Sequence, residues 1–374
     1  MLYAQNGYMN RIVLIGNGFD IAHGLKTKYE DFIIWYWEQC GIRLSECQSE
    51  RYEDELCSFE LLGDHRFLGW NWVADTYMKK LLNPNQFDGY CFIQWARKLR
   101  YCVIEYKSEL FKRISQSVES KKWVDIENIY YEILVREKSF GDRYKILNNQ
   151  LDFLRGKLIE YLLEIEKSDF TLIESIKEKI FRPIKRCEVS VRYRYKTEDF
   201  FTLSNIMLLN FNYTSTPEIY LDGEATINYI HGKLDNPQSV IFGYGDELDE
   251  NYKRLKEQND SECMRHVKSI RYLEHDNYRR MLEFIESDSF QVVIMGHSCG
   301  NSDRTLLNTI FEHPNCVSIK PYYYQIDDRT DNYSELTINI NRNFNDPKLM
   351  RDRVVCKDYC EPLTGVKPGV VVMG

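Results

Sequence analysis

The sequence predicts an α/β fold: a mostly parallel sheet in one discontinuous domain, interrupted by a long helical insertion. Three observations predict it. Short apolar runs alternate with helical stretches, several of the runs end in glycine or polar residues, and the middle of the chain has helical periodicity.

Taken in order, residues 11–16 (RIVLIG) read as a short buried strand closed by glycine. A helix follows from about Tyr29 (YEDFIIWYWEQC). From 67 to 187 apolar residues recur at three and four, best seen at Leu147, Leu151, Leu154, Leu158, Leu162 and Ile165 on one helix face. Residues 101–117 and 123–135 read as helices of the same kind. Strand signals return at 205–211 (NIMLLNF), 225–230 (ATINYI), 239–244 (SVIFGY), 291–296 (QVVIMG) and 316–324, with a polar helical stretch at 249–287. The expected division is an α/β domain from 9–66 and 200–345, a helical insertion at 67–199 and a C-terminal tail at 346–374. The first eight residues read as an upstream extension, since Met9 is an equally natural start.

Composition narrows the function classes. With 374 residues, 43% of them hydrophobic, the chain has apolar mass for a real core. Its 49 basic and 57 acidic residues leave a net charge of −8, so it lacks the general attraction to phosphate backbones of a nucleic-acid binder. One local exception is the stretch 182–196 (RPIKRCEVSVRYRYK), where Arg and Lys interleave with Tyr; a solvated strand and turn is the plainer reading. Eleven cysteines show no C-x-x-C pair, the nearest approach being Cys356 and Cys360, and no His/Asp/Glu cluster has metal-ligand spacing. The expectation is buried thiols in a reducing cytoplasm, without disulfides or a metal. The apolar run after Arg11 is too short for a signal peptide, and no stretch approaches the ~18 apolar residues of a membrane span.

The chemistry is expected where the strands end. Gly16-Asn17-Gly18-Phe19-Asp20 follows the first strand, Asn212-Tyr213-Thr214 the next, His231-Gly232 the one after, and Gly296-His297-Ser298-Cys299-Gly300 with Asp303 the strong late one. In a parallel sheet all carboxyl ends share one edge, and open α/β folds bind ligands in the crevice there. The glycine loop suits phosphate, although Ile21 stands at the third glycine position of G-x-G-x-x-G. Its plainer role is a tight strand-to-helix turn. His231 is the best single proton acceptor, and Asn212 can hold a hydroxyl or water without titrating. Gly296-His-Ser-Cys-Gly300 also matches the G-x-S-x-G nucleophile elbow. The only later histidine, His313, would lie roughly 15 Å from Ser298 along the following helix at ~1.5 Å per residue. A serine hydrolase then needs His231 as the partner of Ser298.

These motifs carry a resemblance. Residues 9–32 (MNRIVLIGNGFDIAHGLKTKYEDF), 210–214 (NFNYT), 230–232 (IHG), 241–247 (IFGYGDE) and the late Gly-His-Ser…Asp motif resemble, in order from about residue 10 to 325, the AbiH family of bacteriophage abortive-infection proteins. More distantly, they resemble the sirtuin-like fold of several anti-phage NAD hydrolases. Gly16-Asn17-Gly18 stands for that superfamily's Gly-Ala-Gly, Asn212-Tyr213 for part of its Thr-Thr-Asn-Tyr-Asp, and His231-Gly232 for its His-Gly pair. Gly296, Ser298 and Asp303 stand for its Gly-x-Ser…Asp loop. The resemblance implies a Rossmann-like (sirtuin-like) parallel sheet with helices on both faces, and NAD as substrate or ligand. It implies that Asn212 holds the nicotinamide ribose or attacking water and that His231 is the general base. Gly16, Asn17, Gly18, Asp20, Tyr213, Gly296, Ser298 and Asp303 would contact the nucleotide. Asp20 stands where the superfamily usually has serine, and Thr214 replaces its aspartate; these departures favour the alternative of a nucleotide-binding sensor without catalysis. The paired C-x-x-C zinc module of sirtuin deacetylases is missing from the sequence, so protein deacetylation is not implied. The partners implied are a nucleotide and a phage-derived trigger, with a homo-oligomer left open and neither membrane nor nucleic acid expected.

Overall fold

A computed structural model describes residues 7–46, 51–61, 102–119, 125–136, 142–194, 199–223, 225–247 and 249–365. The chain divides into two compact units. One comprises Met1–Lys26, Leu162–Asn259 and His266–Gly374, and the other Thr27–Tyr161 with Asp260–Arg265. These cuts differ from the 67–199 insertion expected from periodicity. The expected start of that insertion at 67, and the beginning of the 123–135 helix, lie outside the described residues.

In chain order, β1 (Tyr8–Ile15) and α1 (Asn17–Ala22) open the first unit. The second unit then holds α2 (Tyr29–Glu46), an antiparallel sheet of β2 (Arg51–Glu53), β3 (Cys57–Leu61) and β4 (Cys102–Tyr106), and the helices α3 (Glu109–Glu119), α4 (Ile126–Arg136) and α5 (Arg143–Ile165). The first unit resumes with α6 (Glu174–Phe181), β5 (Ile184–Lys185), α7 (Val191–Arg194), β6 (Phe200–Asn210) and β7 (Ala225–Tyr229). It continues through α8 (Glu250–Lys256), α9 (Lys268–Arg271), α10 (Asn277–Ser287), β8 (Phe290–Met295), α11 (Arg304–Phe311), β9 (Cys316–Tyr322), α12 (Tyr333–Arg342) and α13 (Pro347–Arg353).

The main sheet runs β7-β6-β1-β8-β9 with every neighbouring pair parallel, and the short β5 adds antiparallel to the start of β6. The chain therefore builds outward from β1 in one direction through β6 and β7, then crosses to the other side for β8 and β9. All six residues of β8 and all seven of β9 are buried, the polar Gln291, Ser318 and Lys320 included. Alternate residues serve two separate cores. Ile12, Leu14, Val292 and Ile294 pack with Met281 and Ile285 of α10, Leu306 and Ile310 of α11 and Ile340 of α12. Val13, Ile15, Val293 and Met295 pack instead with Phe19 of α1 and Ile176 and Ile180 of α6. Helices thus cover both faces.

Three expectations are corrected. Residues 239–244 form no strand: a turn at Pro237–Ser239 leads into a buried loop, and the Ile241 N–H donates to the His231 carbonyl (2.9 Å) outside any ladder. Val240, Ile241 and Phe242 are apolar because the loop is buried, not because it pairs. The helix expected over 101–117 begins only at Glu109, where the Ser108 hydroxyl accepts from the Phe111 N–H (3.2 Å). Before it, Cys102–Tyr106 pairs with β3 along its whole length, so the middle of the chain is not purely helical. The stripe on α5 fares better: Leu147, Leu151, Leu154, Leu158 and Leu162 are all buried. The expected tail at 346–374 contains α13, and the Val355 N–H returns to the Ile319 carbonyl (2.9 Å) beside β9. In the basic stretch at 182–196, whose last two residues lie outside the described residues, Arg182 pairs with Glu361 (2.5 Å), so part of its positive charge is used internally.

Candidate functional site

The site is built where β1 and β8 end, because the connections leaving these two adjacent strands lead to opposite sides of the sheet. Their loops touch backbone to backbone. The Gly18 N–H donates to the Gly296 carbonyl (2.8 Å), the Gly16 N–H to that of Met295 (3.2 Å) and the Phe19 N–H to that of Gly16 (2.8 Å). A Cβ on Gly16 would lie 2.5 Å from the His297 Cα, and one on Gly18 2.8 Å from the Gly296 Cα. Gly296 itself has φ 76°, and a Cβ there would meet the Phe19 nitrogen at 2.1 Å. The glycines therefore let two strand ends interlock; the Gly16 and Gly18 amides are spent on that contact, and the Phe19 amide closes the turn itself. Gly296→Ala is expected to cost about 1–3 kcal/mol through strain and backbone clash. Denaturant unfolding checks this, and an unchanged midpoint would contradict the interlock.

Asp20 follows on α1. Thr214 Oγ1 donates to its Oδ2 (2.7 Å), while its buried Oδ1 has no hydrogen-bond partner. Burial pushes this carboxyl up to about 6, against the opposing influence of Thr214, Thr216 and Asn212. Asn212 braces the same turn: its Nδ2 donates to the Gly16 carbonyl (3.0 Å), and its N–H donates to Asn210 Oδ1 (3.1 Å). Tyr213 points elsewhere and donates from its hydroxyl to the Ile241 carbonyl (3.0 Å).

The densest charge lies around Asp303, which a turn at Asn301–Asp303 presents just before α11. Lys268 Nζ lies 2.9 Å from its Oδ1, although that lysine is only 1% exposed. His231 Nε2 lies 3.2 Å from the same oxygen, and His297 Nε2 3.6 Å from Oδ2. The Cys299 N–H donates to His297 Nδ1 (3.0 Å), which turns Nε2 toward the carboxylate. His231 faces the Phe211 carbonyl at Nδ1 (3.3 Å), to which the neutral ring can donate, and both Asp303 and the Tyr272 hydroxyl (3.1 Å) at Nε2, where that hydroxyl can donate to the ring. Tyr272 lies parallel to the imidazole, with Tyr278 stacked on it in turn.

Electrostatics set opposite states for the two partners. Burial alone would raise the Asp303 carboxyl, but Lys268 and His231 overcome that and hold it well below the usual carboxylate range. Burial, then the Lys268 ammonium, push His231 below its ordinary 6.5. At neutral pH the result is an ionised carboxylate beside a neutral imidazole, both buried from water. Such a pair can favour positive charge developing on a ligand and accept a proton from it.

The structure thus brings Gly16, Gly18, Asp20, Asn212, His231, Gly296 and Asp303 to one sheet edge. Ser298 is exposed, and its carbonyl accepts from Asn339 Nδ2 (3.0 Å). A serine nucleophile gains no support there, because His231 and His297 are both turned to Asp303. Cys299, with φ 54°, carries the strained backbone beside it, and burial raises its thiol. Lys268 and Tyr272 were not among the candidates from sequence. They come from the polar stretch after Asp249, where nothing in the spacing sets them apart.

A family profile described as "Bacteriophage abortive infection AbiH" matches residues 12–324. Searches of curated proteins and of solved structures returned no match. Among the described residues no helix is long and apolar enough to cross a membrane.

Proposed function

Because the chain belongs to the AbiH family of bacteriophage abortive-infection proteins, we propose that it serves phage defence by hydrolysing the nicotinamide–ribose bond of NAD or a related nucleotide. The observation that carries this reading is the placing of His231 and Asp303 outside the sheet's switch point, beside the Gly16-Asn17-Gly18 turn. Counted along the parallel sheet of the described residues, the strand order is 3-2-1-4-5, which is the first five strands of the Rossmann-like dinucleotide order. This supports a sirtuin-like site.

In the proposed reaction the C1′–N bond breaks, nicotinamide leaves neutral and positive charge builds on the ribose. Ionised Asp303 favours that charge. Water forms the new C1′–O bond and gives its proton to His231, while the Asn212 amide positions the water or a ribose hydroxyl. No metal is required by these steps. Lys268 and Tyr272 already occupy the inner face of this cluster, so a ligand must displace them; a latent enzyme awaiting a phage-derived trigger fits this arrangement.

Purified protein incubated with NAD should release nicotinamide, followed by chromatography, and Asn212→Ala should release it at least ~10-fold more slowly. A second reading, a nucleotide-binding sensor, is favoured by the closed Lys268–Asp303 contact and by Thr214 in place of aspartate. It predicts saturable NAD binding with no nicotinamide release under any trigger, an outcome that would end the hydrolase reading.

A further inference from the structure

The second unit contains a cluster that the proposed reaction does not use. Cys40 on α2, Asp54 just after β2 and Cys57 at the start of β3 place one ligand atom each within 4.8 Å of one another. Both cysteines are buried. We propose that Cys40, Asp54 and Cys57 bind one zinc ion, which ties α2 to the β2–β3 hairpin.

The geometry of the turn argues for it. Asp54-Glu-Leu-Cys57 has the two-residue spacing of ligand pairs on a single turn. Within it, the Leu56 and Cys57 N–H groups donate to Asp54 Oδ1 (2.8 and 3.0 Å), so the backbone already holds the carboxylate toward its partner ligand. An outer shell is also in place. The Tyr36 hydroxyl lies 2.6 Å from Asp54 Oδ2 and 3.4 Å from Cys57 Sγ, and the Tyr52 hydroxyl donates to the same oxygen (2.9 Å). On metal binding the Tyr36 hydroxyl can turn from the carboxylate to the thiolate, which frees a lone pair on Oδ2. The Tyr36 ring in turn packs on Trp37 and Phe111, and Trp37 on Phe59.

The donor set selects the metal. Two thiolates and one carboxylate form a mixed, borderline-soft set, which suits zinc over the hard, all-oxygen cations. Three protein ligands leave a fourth position for water. Zinc binds cysteine as thiolate, so loading the site releases thiol protons to the buffer.

The test uses the whole, reduced chain. Zinc titrated against a chromophoric chelator should bind at one ion per chain, with proton release to the buffer, and Cys40→Ser and Cys57→Ser should each weaken binding more than ~10-fold. Cobalt(II) loaded into the unaltered chain should show a thiolate-to-metal charge-transfer band, a readout that needs no variant to fold. Binding unaffected by both substitutions, a cobalt spectrum without that band, or a Cys40–Cys57 disulfide in a protein that takes up no zinc after reduction would each overturn the proposal.

Discussion

Lys268→Ala is expected to lower the free energy of unfolding by about 3–5 kcal/mol, the cost of breaking a buried ion pair from one side. Lys268 and Asp303 are both buried, 2.9 Å apart, and removing the ammonium leaves a carboxylate with only two histidines to balance it. The pH dependence makes the expectation specific. In the unaltered protein His231 titrates below 6.5, so its contribution to stability is present above that pH and is lost as pH falls toward its folded value. Lys268 is the second-largest cause of that depression, after burial. Without it, His231 takes up a proton more readily, and so does Asp303, which has lost its main cationic neighbour. Both changes relieve the variant in acid. The penalty measured by denaturant unfolding should therefore shrink as pH is lowered from about 8 to about 5.5. A penalty of the same size at both ends would mean that the pair is not coupled to His231.

The same residues show what was legible in the sequence. β1 and β8 could be read because their inner parts, residues 12–15 and 292–295, are unbroken apolar runs buried on both faces, and each run stops at a glycine. Asp303, His231 and Asn212 could be singled out because each stands just past such a run, where a parallel sheet places its ligands. Residues 239–244 misled for the converse reason: burial alone makes a segment apolar, and a buried loop and a buried strand look alike until the hydrogen bonds are known. Gly16 and Gly18 pointed toward phosphate, yet the structure uses them for close approach to Gly296, a residue some 280 positions away in the chain that local pattern cannot connect. Lys268 was invisible as well. A lysine in a polar stretch is normally solvated, and only the tertiary fold brings it to Asp303. Cys40 and Cys57 likewise lie on different elements, so their nearness is a product of how α2 meets the hairpin.

His231→Ala is expected to slow nicotinamide release by about 10²–10⁴-fold if the imidazole is the general base. The loss should fall on kcat, with KM for NAD changed much less, because a base acts on the proton in flight and not on the resting substrate. The pH profile of nicotinamide release by the unaltered protein provides a second, independent check. Since His231 is held below 6.5 by burial and by Lys268, its neutral form persists through the neutral range. The rate should stay level from about pH 8 down to about 6.5 and fall only below that, as the ring protonates. Asp303 stays ionised across this window, so it contributes no limb of its own there. In His231→Ala the acid limb should vanish from whatever rate remains. A variant that keeps both the full rate and the acid limb would move the proton-accepting role elsewhere. Asp20, the buried carboxyl raised to about 6 beside the same glycine turn, would then be the group to replace next.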